Sequence, residues 1–142
     1  MAPHQTRLRA RYAETDQMGV VHHAVYLVWL EAARVEYCRA AGFDYGAMER
    51  EDGIGIAVVE THCRYVYPTR FDDEVVIETR LEAASPRLVR FAYQLRRAAD
   101  DRLLATAETK HIFCNRDMRP VRLPPKYWSL FGIPRGAGLP TP

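Results

Sequence analysis

The chain is poor in cysteine, has no long uninterrupted apolar run and carries almost no excess of charge. Its three cysteines, Cys38, Cys63 and Cys114, are odd in number and far apart, which argues against a disulfide framework or a metal-ligand spacing. They read as small buried thiols in a reducing compartment. The formal net charge is only +2, and the arginines are scattered rather than gathered into a basic tract, so no nucleic-acid partner is expected. The longest apolar stretch, 24–41, is interrupted by Glu31, Arg34, Glu36 and Arg39, which argues against a membrane span. The first ten residues lack the apolar core of a secretory signal. Together these absences lead to the expectation of a cytoplasmic protein.

What remains is ordinary for a globular chain. At 142 residues, 48% hydrophobic and 27% charged, it is long enough for one domain burying about two-thirds of its unfolded surface. That domain is expected over 1–132, with 133–142, ending in "PRGAGLPTP", as a disordered tail. Residues 6–12, "TRLRARY", alternate polar and apolar groups and predict a first strand. "HAVYLVWLEAARVEYCRAAG" predicts a helix of about eighteen residues, ~27 Å long, stopped by Gly42. Glu31 with Arg34 and Glu36 with Arg39 are spaced to share a narrow wet strip. The rest of that helix is apolar and calls for cover on several sides.

Downstream, "IGIAVVETHCRYVY", "DEVVIETRLEA", "RLVRFAYQLRR" and "RLLATAETKHIFCN" are β-branched or alternating, and turn residues separate them. They predict four antiparallel strands. Beyond Pro124-Pro125, "KYWSLFG" predicts a short helix or turn. The class is therefore α+β: a five-stranded antiparallel sheet wrapped around one long central helix.

One stretch carries chemistry. In "RYAETDQMGVVHHAVYL" Asp16 precedes a bend at Gly19, and His22 and His23 open the helix. A helix start presents unpaired N–H groups and about half a positive charge, enough to hold a carbonyl oxygen as it becomes negative. A carboxylate looped back beside it could attack that carbonyl or deprotonate a water. Gly19 allows the fold-back. The same residues also suit a plain polar turn in which Asp16 bonds to nearby amides, and residue types alone leave both readings open. Adjacent histidines do not share a helix face, and no HExxH-like set accompanies them, so no metal is expected.

The extended stretch "RYAETDQMGVVHHAVYLVWLEAAR" resembles the opening signature of hotdog-fold acyl-CoA thioesterases. It is closest to the 4-hydroxybenzoyl-CoA thioesterase family and its Tol-Pal-associated acyl-CoA branch. "YVYPTRFDDEVVI" resembles that family's aromatic-Pro passage between its second and third strands, and the similarity runs from about residue 7 to 130. It implies that Asp16 is the catalytic carboxylate, that His23 sits beside the substrate carbonyl and that Tyr12 is the strand tyrosine near them. Gly19, Val21, His22 and Ala24 are then substrate-binding positions, with the amides around His23 and Ala24 polarising the thioester oxygen. His22 stands where the family usually has Tyr, and Val25 where Asn is common; both alter the pocket wall. No cofactor is expected, because coenzyme A belongs to the substrate. The resemblance further implies a homodimer joined sheet edge to sheet edge, or a homotetramer of such dimers.

A thioester suits so small a set of groups. Its thiol leaves with a pKa of about 8.5 and needs little acid assistance. The rival activities on this fold are an acyl-thioester hydratase or dehydratase, which needs an acid/base pair across the acyl chain, and a non-catalytic acyl-CoA-binding protein. In the latter Asp16 beside a carbonyl would be a costly ornament. For the phosphates of coenzyme A, Arg70, Arg87, Arg90 and Lys110 are candidates, each equally at home as a solvated surface residue.

Overall fold

The computed structural model describes residues 2–138. Strand β1 spans His4–Arg9, helix α1 Val25–Ala40, β2 Gly55–Tyr65, β3 Glu74–Ala84, β4 Leu88–Arg97 and β5 Arg102–Cys114. The strands form one antiparallel sheet in the order β1-β3-β4-β5-β2. The hairpins β3–β4 and β4–β5 follow the chain. By contrast β2 crosses over to pair with β5, from Gly55 against Cys114 to Tyr65 against Ala105. That crossover makes β2 an edge strand and brings its C-terminal end, Tyr65, back to the start of α1.

Alternation explains which face is buried. On β3, Val75, Ile77 and Thr79 point into the core while Arg80 points out; on β4, Val89, Phe91, Tyr93 and Leu95 do the same. Successive strand side chains face opposite sides, so one buried face follows directly. The outward face carries compensating charges, including Glu78 with Arg80 at 2.7 Å and Lys110 with Glu60 at 3.7 Å.

Helix α1 lays Tyr26, Trp29, Leu30, Ala33 and Tyr37 into the same core. That is one stripe at helical spacing rather than the whole circumference. Leu27 and Val28 remain exposed, so the expectation of cover on several sides is not met within one chain. Arg34 also departs from its expected place. Instead of sharing a wet strip with Glu31, it is buried and donates to the Tyr93 hydroxyl at 3.3 Å. Glu36 and Arg39 do pair. Gly42, at φ 86°, ends the helix in the left-handed region.

Residues Pro125–Phe131 form a 3-10 turn whose Trp128 and Phe131 close the end of the core. Ile133, read as the first residue of a tail, is buried there and donates its N–H to Trp128 O at 2.9 Å. Past 132 the chain runs through a turn at Arg135–Gly138; the remainder of the expected tail, 139–142, lies outside the described residues. Among the described residues no helix is long and apolar enough to cross a membrane.

Candidate active site

The bend between β1 and α1 is held at its base and tip by main-chain bonds. Thr15 and Val21 form an isolated antiparallel bridge, the Asp16 N–H donates to Val20 O, and the Gly19 N–H donates to Asp16 O, both at 2.9 Å. Gly19 sits at φ 76°, a conformation that costs other residues a clash with their own Cβ. Asp16 Oδ1 accepts the Met18 N–H at 2.9 Å. Asp16 thus stabilises the turn. Asp16 lines a cleft of about 320 Å³ with Val20, Val21, His23, Tyr26, Tyr65, Val66, Tyr67 and Pro68.

Three of the seven anticipated site residues meet there: Asp16, Val21 and His23. The other four do not line the cleft. Gly19 shapes the bend. His22 stacks on the His23 ring, with centroids 4.2 Å apart, and its Nδ1 accepts the Ala24 N–H at 3.1 Å. That bond occupies one of the two amides expected to face a ligand. The first strand, expected over 6–12, is corrected. The strand ends at Arg9, and Tyr12 belongs to a 3-10 turn, 76% exposed, with its ring edge-on to Phe71.

Three amides around the helix start are engaged within the chain. His22 N–H donates to Glu14 O, Ala24 N–H to His22 Nδ1 and Val25 N–H to His22 O. Among the described residues the His23 N–H has no acceptor, and His23 is the one member of this group that lines the cleft. The first N–H groups of a helix have no intrahelical partner, and this one is free to donate to a ligand or to water.

The sequence reading missed the far wall. The Tyr65 hydroxyl donates to His23 O at 2.7 Å and its ring meets Tyr26 edge-on at 4.9 Å. The Tyr26 hydroxyl shares a 2.8 Å bond with Thr69 Oγ1, and Thr69 O accepts the Val21 N–H at 2.7 Å. Desolvation pushes the Tyr65 hydroxyl up to about 12, so at neutral pH it keeps the proton it donates. Arg102 lies 4.0 Å from the centroid of the Tyr67 ring and Arg97 5.3 Å, fixing that ring as a wall. The signal available was the alternation of Tyr65 and Tyr67 before Pro68, on a strand whose partner was not evident.

Three larger depressions exist: about 540 Å³ on the outer sheet face around His62, Arg64, Glu78 and Arg80, about 690 Å³ between β1 and α1, and about 460 Å³ past the end of α1 around Val35, Arg39 and Asp44. None combines a carboxylate with the start of α1. The smaller cleft does, and size is the lesser criterion. Of the basic residues considered for phosphate, Arg90 is engaged by Glu82 at 3.4 Å and Lys110 by Glu60. Arg70 lies closest to the bend, its Nη1 3.9 Å from where a Cβ on Gly19 would stand.

An antiparallel sheet with a carboxylate bend leading into its long helix is the hotdog arrangement of a thioester hydrolase. The chain belongs to the thioesterase-like superfamily, which its residues 10–129 match. It is 30% identical to the acyl-CoA thioester hydrolase YbgC of Escherichia coli O6:H1, over 82% of this chain and 87% of that one. Among solved structures it is similar to the DHNA-CoA thioesterase of Staphylococcus aureus, at 31% identity and a TM-score of 0.88, covering 92% of this chain and 89% of that one. A hypothetical protein of Thermus thermophilus, TT1821, superposes with a TM-score of 0.84 at 41% identity, covering 89% and 95%.

Proposed function

We propose that this chain hydrolyses acyl-CoA thioesters and that Asp16 carries the reaction, as nucleophile or as general base to water. The thioester carbonyl enters the cleft with its oxygen toward the His23 N–H and its carbon toward the Asp16 carboxylate. As the carbonyl carbon becomes tetrahedral, negative charge gathers on oxygen. A fixed amide at the positive end of a helix stabilises that charge without having to reorganise. In the covalent route Asp16 forms a mixed anhydride and expels the coenzyme A thiolate, and water then cleaves the anhydride. In the other route Asp16 takes a proton from the attacking water. Either way the leaving thiolate needs little help, and no cofactor beyond the substrate's own coenzyme A is called for.

The observation that carries this reading is the pairing of Asp16 with the unengaged His23 amide in one cleft. The relatives support the substrate class, since both named hydrolases act on coenzyme A thioesters. The His23 imidazole orients substrate or water beside them, and the tyrosines and valines of the cleft wall shelter the acyl group. The central-helix description of the fold belongs to the same reading: the exposed side of α1, with Leu27 and Val28, gains its cover from another subunit.

That subunit is a second copy of this chain. Strand β2 is an edge, eleven residues long, that carries exposed Val58, Val59 and Tyr65 and is followed by exposed Val66 and Tyr67. A long apolar edge invites pairing unless blunted, and joining two such edges would enclose the cleft beside Tyr65. The test of the activity is a panel of short aliphatic, long aliphatic and aromatic acyl-CoA thioesters with a thiol-reactive dye. Release of coenzyme A thiol from at least one class is expected. Silence across the whole panel would refute the assignment.

A further inference from the structure

We infer that Glu14, which does not line the cleft, is a positioning residue that sets the spacing between the Asp16 carboxylate and the His23 amide; the inference rests on the thioesterase reading above. Glu14 is buried, 7% exposed, where an unsatisfied carboxylate would be strongly disfavoured. Both of its oxygens are engaged, and by different parts of the chain. Oε1 accepts the Arg11 N–H at 2.7 Å, with the Arg11 guanidinium Nε at 3.5 Å. Oε2 accepts the indole N–H of Trp29 at 3.0 Å. Trp29 is itself buried in the core face of α1, six residues or about 9 Å along the helix from His23.

The main chain of the same residue completes the clamp. Glu14 O accepts the His22 N–H at 2.9 Å, and the next residue, Thr15, bridges to Val21. Residue 14 therefore touches both limbs of the bend, one leading in two steps to Asp16 and the other in one step to His23. Its side chain fastens this junction to the body of α1. A turn alone would be served by the main-chain bonds. The carboxylate adds a tie between the bend and the helix into which His23 leads.

The chemistry of the group fits that duty. A carboxylate is acceptor at both ends, so it can take an N–H on each side; an amide cannot, since its nitrogen end would face one of the two donors. Shifting Glu14 relative to α1 changes where Asp16 stands with respect to a carbonyl held at His23. Displacements of ~1 Å at such a position cost turnover by up to about a hundredfold. Substrate affinity depends on the cleft walls instead and is left alone.

The experiment is steady-state hydrolysis of one acyl-CoA by the parent protein and by Glu14→Gln, Trp29→Phe, the double variant and Asp16→Asn, with circular dichroism confirming the folded state. Glu14→Gln and Trp29→Phe are each expected to lower kcat by about tenfold or more with KM little changed. The double variant should lose no more than the worse single one, because both break the same contact. If Glu14→Gln does not fold, Trp29→Phe, which keeps an aromatic ring and removes the N–H, decides by the same readout. Folded single variants with undiminished kcat, beside an inactive Asp16→Asn, would overturn the positioning role and leave the hydrolase reading standing. Full activity in Asp16→Asn would overturn both.

Discussion

The Tyr65 hydroxyl bonds to the His23 carbonyl at 2.7 Å, so the last residue of β2 holds the peptide at the start of α1 from across the cleft. Tyr65 and His23 are 42 residues apart in sequence. Their contact exists because β2 runs antiparallel to β5 on the far edge of the sheet and delivers its C-terminal end to the mouth of the bend. Tyr65→Phe keeps the ring against Tyr26 and removes only this bond. The account expects kcat to fall by about threefold to thirtyfold, the range that loss of one hydrogen bond of ~1 kcal/mol or somewhat more implies. Kinetics of the single variant measure it, and an unchanged kcat would mean the helix start needs no support from β2.

Tyr12 gives the opposite expectation. It is largely exposed and packs on Phe71 outside the cleft. Tyr12→Phe preserves that edge-to-ring contact, so kcat and KM should both stay within about twofold of the parent, in keeping with the small effects typical of surface substitutions. A large loss of turnover would return Tyr12 to the site.

The pairing of β2 edges is tested by charge. Val59 lies at the irregularity in register between Val58 and Glu60 and is exposed. A lysine there adds like charge on both sides of a two-fold interface, the device by which natural edges avoid association. Sedimentation should show the parent as a dimer or larger and Val59→Lys shifted toward monomer. A parent that sediments as a monomer at all concentrations would refute the interface.

His111 makes stability depend on pH. It is fully buried on β5, with Nε2 bonded to Thr109 Oγ1 at 2.8 Å. Burial, and then the Arg34 cation from α1, push it down to about 3 from 6.5. Below about pH 6.5 the unfolded chain gains a proton that the native chain refuses, so this residue lowers stability as the pH falls toward about 3, by at most ~1.4 kcal/mol per unit. Above about 6.5 it contributes no pH dependence. Urea unfolding of the parent and His111→Leu at about pH 7 and about pH 4.5 should show the parent losing more stability on acidification. Equal losses would place the acid sensitivity elsewhere.

Much of the architecture was legible because it is local. Val75, Ile77 and Thr79 alternate with outward residues, so β3 and its buried face follow from spacing, and Gly42 marks the helix end. The bend around Gly19 and the candidate role of Asp16 were legible from the signature they share with related thioesterases. What escaped was non-local. The i,i+3 spacing of Glu31 and Arg34 says nothing of Tyr93, which lies across the core and draws Arg34 inward. The strand pattern of β2 cannot reveal that it pairs with β5, and so conceals Tyr65 and Tyr67 as cleft walls. Ala24 offered a free amide until the His22 side chain turned back to take it, a choice made by rotamer rather than by spacing.

The proposed hydrolysis depends most directly on Asp16. In Asp16→Asn the side-chain oxygen that accepts the Met18 N–H is retained, so the bend should keep its shape while nucleophile and base are both removed. Steady-state hydrolysis of an acyl-CoA substrate by the folded variant is predicted to be slower in kcat by roughly 10²–10⁴-fold. Turnover equal to that of the parent would contradict it.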